Sequence, residues 1–222
     1  KQEMIAKSAF WVTKKRYGQW IINDGGLEVE KLDVKGLDIV RSSFPPAFRD
    51  FMTKVLKAIL AKVPKEKIDE FILNFKNNLK DEELDKIALP TGVKGLNKYM
   101  DKSKGGFQSK TMFTPMKKGA PVHTKASVIY NDLLKYFKAT NHEPISNGNK
   151  VRWVYLKTNP YNIDGIAYKG YDDPKQIIDF INQYVDRDKL FDKALSKKIK
   201  MFYDAMSWDM PVEKKNTIEK FF

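Results

Sequence analysis

An α+β fold is predicted, because strand-type alternation, helical periodicity and a second stretch of alternation follow one another along the chain. Residues 1–40 are β-rich. The runs 17–22 and 27–34 flank Asn23-Asp24-Gly25-Gly26, whose residue types tolerate the positive φ of a tight hairpin turn. From Phe48 the pattern becomes helical, and at residues 150–156 it alternates again.

Taken in order, Ala9-Phe10-Trp11-Val12 and Trp20-Ile21-Ile22 read as half-buried strand on either side of Lys14-Lys15-Arg16-Tyr17. The basic cluster is therefore expected on a strand rather than a tail. There it could follow a phosphate backbone or reach a minor groove, or it could simply guard a strand edge with lysines. Ser42-Ser43-Phe44-Pro45-Pro46 breaks the β pattern and can start a helix. Phe48, Phe51, Met52, Val55, Leu56, Ile59 and Leu60 then recur at the helical period, and Pro64 ends the run. In a second helix Ile68, Phe71, Ile72, Phe75 and Leu79 are expected to face inward.

Residues 86–125 change character, with nine lysines against one acid, Asp101, and interleaved glycines. Such backbone can approach a phosphate closely, although a disordered lysine linker fits the composition too. No phosphate-loop pattern occurs in it. A helix is expected from about Thr124 to Phe137, with Ala126, Ile129, Leu133, Leu134 and Phe137 inward. The strand 150–156 and its partner 163–168 follow, and the remainder to Met206 is helical.

The 222 residues are 42% hydrophobic and 13% aromatic, enough to bury a core, and the formal net charge of +13 favours a polyanionic partner. Cysteine is absent, which excludes thiolate metal sites and nucleophiles and permits a reducing cytoplasm. His123 and His142 are too few and too far apart for a metal site, so no metal-ligating or catalytic residue is expected. No run approaches the length of a spanning helix, and the basic residues do not follow one amphipathic helix, so no membrane partner is expected. The first residue is Lys1, as in a piece or processed part of something longer.

Trp11-Val12-Thr13-Lys14-Lys15-Arg16-Tyr17, then Leu32-Asp33-Val34-Lys35-Gly36-Leu37-Asp38 with Arg41-Ser42-Ser43 and Pro45, resemble the C-terminal part of family B DNA polymerases, especially those of tailed bacteriophages. Pro121-Val122-His123-Thr124-Lys125-Ala126 resembles a segment of the family's thumb. Gly148-Asn149-Lys150-Val151, Tyr155-Leu156 and Asn159-Pro160 resemble its strand region. The resemblance implies the end of a palm over 1–42, a mainly helical thumb with a short strand insertion over 43–210, and a tail over 211–222. Lys15 and Tyr17 would hold the primer end through its minor groove, where acceptors sit alike in every base pair. Lys14 and Arg16 would meet phosphates, and Lys110, Lys117, Lys118, His123 and Lys125 would contact the duplex.

Ile218-Glu219-Lys220-Phe221-Phe222 resembles the tail that plugs a replicative polymerase into a sliding clamp, with Ile218, Phe221 and Phe222 as anchors. Lys215 stands where the family often has Gln, and the two Phe could instead pack on the last helix. The resemblance further implies Mg²⁺ in the complete polymerase, held by palm carboxylates that precede the Lys-Lys-Arg-Tyr segment and so lie outside this chain. Tyr171-Asp172-Asp173 mimics a metal motif, but Pro174 follows and an aspartate there is expected to cap a helix. The expected partners are primer–template DNA, an exonuclease–palm–fingers part that completes the active site, and the clamp. The alternative is a free-standing, non-catalytic nucleic-acid-binding protein.

Overall fold

A computed structural model describes residues 3–101 and 113–212. In chain order the elements are β1 (Met4–Thr13), β2 (Arg16–Asp24), β3 (Leu27–Lys35), α1 (Pro46–Leu60), α2 (Lys65–Asn78), α3 (Leu84–Ile87), β4 (Leu89–Gly92), α4 (Leu96–Tyr99), α5 (Val122–Tyr136), β5 (Lys150–Tyr155), β6 (Gly165–Tyr168), α6 (Lys175–Tyr184), α7 (Arg187–Leu190) and α8 (Lys197–Ala205). The fold is α+β, with two three-stranded antiparallel sheets, β1-β2-β3 and β4-β5-β6, among the described residues. It divides into two compact units. The first draws on residues 3–41, 48–81 and 191–212, the second on 42–47 and 82–190.

In the first unit the expected hairpin forms between β2 and β3. Gly25 and Gly26 take φ of 63° and 95°, and the Asn23 side chain accepts the Gly26 amide at 2.9 Å. The apolar positions of α1 are all buried, as their 3.6-residue spacing requires. On α2 Ile68 and Ile72 are buried, but Phe71, expected inward, is 37% exposed. Its ring nevertheless stacks on Phe51 at 5.2 Å, and Phe75 stacks on the same ring at 4.1 Å. The rings of one aromatic stripe are thus shared among three residues, which leaves the outermost wet. The chain returns at its far end. After a wide π-helical turn over Phe191–Ser196, α8 sets Phe202 edge-on against Phe10 of β1 at 5.2 Å. Tyr203 donates to Asp69 of α2 at 2.6 Å.

In the second unit β6 is buried along its length and packs beside α5. The described part of residues 86–125 is only partly the irregular stretch that its composition suggests. It includes β4, which pairs with β5 from Leu89↔Trp153 to Gly92↔Lys150, and the start of α5. Phe137, expected inward, is half-buried at the end of α5. Asn131 of α5 fastens the following loop through its amide, exchanging hydrogen bonds of 2.7 and 2.8 Å with the backbone of Ile145. The expected aspartate cap is also corrected. Pro174 is the N-cap of α6 and no side chain caps it. Asp173 instead accepts the amides of Lys169 and Gly170, at 2.9 and 2.7 Å, and closes the turn that follows β6.

Candidate nucleic-acid interface

The Lys-Lys-Arg-Tyr segment spans the tip of the first hairpin and the start of β2, with Arg16 and Tyr17 on the strand as expected and Lys14 and Lys15 at the tip. Thr13 of β1 pairs with Arg16 of β2, so Lys14 and Lys15 form the two-residue turn. Both are exposed, and neither side chain has a hydrogen-bond or ion-pair partner among the described residues. A pair of free ammonium groups on a tight turn is a concentrated positive point with little backbone freedom. Arg16 reaches back over α8, with Nη1 3.8 Å from Met201 Sδ. Tyr17 is half-buried, with its ring 6.1 Å from that of Trp11, its cross-strand partner on β1. Across β3 it pairs with Lys35. Trp11 itself is 54% exposed, so an aromatic surface and four cations, Lys14, Lys15, Arg16 and Lys35, share this end of the sheet.

The basic residues of the second unit stand on a separate support. The loop over residues 113–121 is pinned at both sides. On one side the Lys117 amide donates to Tyr99 and the Asp101 amide to Pro115, at 2.8 and 2.9 Å. On the other, Asp132 of α5 is 1% exposed and accepts the amide and the hydroxyl of Thr114, at 2.7 and 3.0 Å. A buried carboxylate on a helix needs such partners, and here the loop supplies them. Lys117 and Lys118 are exposed at the turn of this loop. Pro121 is the N-cap of α5, which puts His123 and Lys125 in its first turns. Lys125 is exposed; His123 is half-buried, and burial lowers its pKa below the usual imidazole range. Lys117 and Lys125 also border a cleft of about 720 Å³, walled by Phe113, Val128, Tyr161 and Ile163.

Of the sequence-predicted residues, Lys14, Lys15, Arg16 and Tyr17 come together in the first unit, and Lys117, Lys118, His123 and Lys125 in the second. Lys110 and the tail residues Ile218, Phe221 and Phe222 lie outside the described residues. Sequence reasoning missed Asp132 and Thr114. The one signal for them was an acid among the apolar positions of a helix. No role was expected for Gly36, although it lies within Leu32-Asp33-Val34-Lys35-Gly36-Leu37-Asp38.

Among the described residues no group of three or more His, Asp or Glu could hold a metal ion. In Tyr171-Asp172-Asp173 both carboxylates are engaged locally. Asp173 closes its turn, and Asp172, at φ 50°, lies 3.3 Å from His142 Nδ1. No described helix is long and apolar enough to cross a membrane.

Residues 1–205 match the family model for DNA polymerase family B, and the chain belongs to that family. No curated protein matches it. The match supports a DNA polymerase role in general.

Proposed function

We propose that this family B chain supplies the duplex-holding part of a DNA polymerase of the bacteriophage type, gripping the primer–template and the primer 3′ end. The observation that carries the reading is the hairpin tip, where Lys14 and Lys15 stand unpaired beside Tyr17 and Arg16. A lysine and a phenol entering the minor groove meet acceptors that every correct base pair presents at similar positions. They would sense pairing geometry without reading sequence. Lys14 and Arg16 lie beside them for phosphates. Lys110, Lys117, Lys118, His123 and Lys125 would hold the duplex backbone, which positions DNA without specifying it.

Nucleotide addition on this reading belongs to the whole enzyme. The exonuclease–palm–fingers part, on the same or another polypeptide, would bring the carboxylates that hold Mg²⁺, and this chain would complete the site by fixing the primer end. Ile218, Phe221 and Phe222 would tether the assembly to a sliding clamp as its apolar anchors.

The test compares binding of the 222-residue chain to a duplex with a recessed 3′ end and to a blunt duplex of equal length. A duplex grip specialised for primers favours the recessed end, and Lys15→Ala with Tyr17→Ala removes that preference. Equal affinity of the unaltered chain for both substrates would overturn the reading in favour of a general nucleic-acid-binding protein. Salt titration alone does not separate them, since both bind a polyanion.

A further inference from the structure

We propose that Gly36 is a positioning residue for the primer-end grip: the end of β3 lies against the backbone of Lys15, and only a residue without a side chain permits it. The inference rests on the grip reading and adds a residue to it. At Gly36 the backbone has φ of 67°, a conformation that L side chains rarely adopt. A Cβ placed there would collide with the carbonyl oxygen of Lys15 and would stand 3.2 Å from Cγ of Arg16. Two independent constraints, backbone angle and close approach, thus fall on one residue, and both concern the turn that carries the lysines.

The neighbours decide which side would give way. Just before Gly36, Lys35 is paired with Tyr17 and Val34 with Gly18 in the sheet register. Just after it, Leu37 and Ile39 are buried at 1% and 6% exposure. Asp38 between them pairs with Arg41 at 2.9 Å and with Lys198 of α8. The glycine is therefore anchored on both sides, whereas Lys14 and Lys15 are exposed and unpaired. An added methyl group would displace the tip and not the support. The second hairpin of the same sheet offers a contrast. At Gly25 and Gly26 nothing lies within 4 Å of where a Cβ would stand, so a side chain there would meet no neighbour.

The experiment uses the full chain with Gly36→Ala and Gly36→Asn. Asparagine tolerates positive φ but still carries a Cβ, so it separates close approach from backbone angle. In both variants the preference for a recessed 3′ end over blunt duplex falls about tenfold, equivalent to one misplaced charge-assisted hydrogen bond, while blunt-duplex affinity at matched salt stays within about twofold. A folded variant with unchanged preference, or recovery in Gly36→Asn, overturns the inference. Nitrogen-15 relaxation of the unaltered chain tests it without substitution. Lys14 and Lys15 should be as ordered as the strands they join, and a turn clearly more mobile than those strands also overturns it. Lys15→Ala distinguishes the levels. If it leaves the recessed-end preference intact, the grip reading fails. If it removes the preference while the Gly36 variants keep it, only the inference fails.

Discussion

The buried carboxylate of Asp132 holds the basic loop of the second unit through a single residue, Thr114, whose amide and hydroxyl it accepts at 2.7 and 3.0 Å. Lys135 adds a weaker contact at 3.5 Å from the exposed side of α5. A helix position that would ordinarily be apolar is thus spent on orienting Lys117 and Lys118.

Asp132→Ala should therefore cost both stability and binding. Removing the acceptor leaves the Thr114 amide and hydroxyl without partners in a part-buried site, for about 1–3 kcal/mol. Thr114→Val keeps the amide bond and should cost less, about 1 kcal/mol. Urea unfolding ranks the two. Duplex affinity measured on the folded variants should fall in the same order, and an Asp132→Ala chain of unchanged stability would show that the bonds contribute nothing net.

How much of this was legible beforehand depends on how local each cause is. The Asn23-Asp24-Gly25-Gly26 turn and the buried face of α1 are written in adjacent residues, and both formed where the pattern put them. Strand β4 is four residues containing Pro90, and it exists only because β5, far later in the chain, pairs with it. No periodicity could reveal that. The turn at Lys14 and Lys15 contains no Gly, Asn or Pro, and its position follows from the Thr13↔Arg16 register and from Gly36 beneath it. Arg16 and Tyr17 lie on a strand as their local pattern suggested, whereas the turn at Lys14 and Lys15 was not legible, since side-chain alternation is local and register is not.

The buried tyrosines predict an alkaline weakness. Tyr168 donates to Asp85 at 2.8 Å and Tyr203 to Asp69 at 2.6 Å. Burial first, and then the neighbouring carboxylate, raises the pKa of each well above the ordinary phenol value. The folded chain keeps these protons where the unfolded chain, titrating near 10, releases them. Their contribution to stability is therefore complete below about pH 10 and falls as pH rises above it, by up to ~1.4 kcal/mol per pH unit for each tyrosine. Urea midpoints at about pH 8 and about pH 11 should show the loss. Tyr168→Phe should start lower and fall less steeply, and parallel curves would refute the assignment.

His123 and Lys125 share the first turns of α5 but should behave as different kinds of contact. Burial lowers the His123 pKa below 6.5, so the imidazole is neutral at about pH 7.5 and can only exchange a neutral hydrogen bond with a phosphate. Lys125 is exposed and charged. The slope of log affinity against log salt counts neutralised phosphates at roughly 0.9 each, so Lys125→Gln should reduce it by about that amount and His123→Gln should leave it unchanged. Acidification reverses the second result. Duplex binding favours the protonated ring, so as pH falls toward the lowered pKa of His123 the unaltered chain should gain affinity and slope that His123→Gln does not. Salt titrations at about pH 7.5 and about pH 5.5 read both terms directly. A reduced slope for His123→Gln already at the higher pH would mean that the ring meets the duplex charged, with DNA overcoming the burial that opposes its proton.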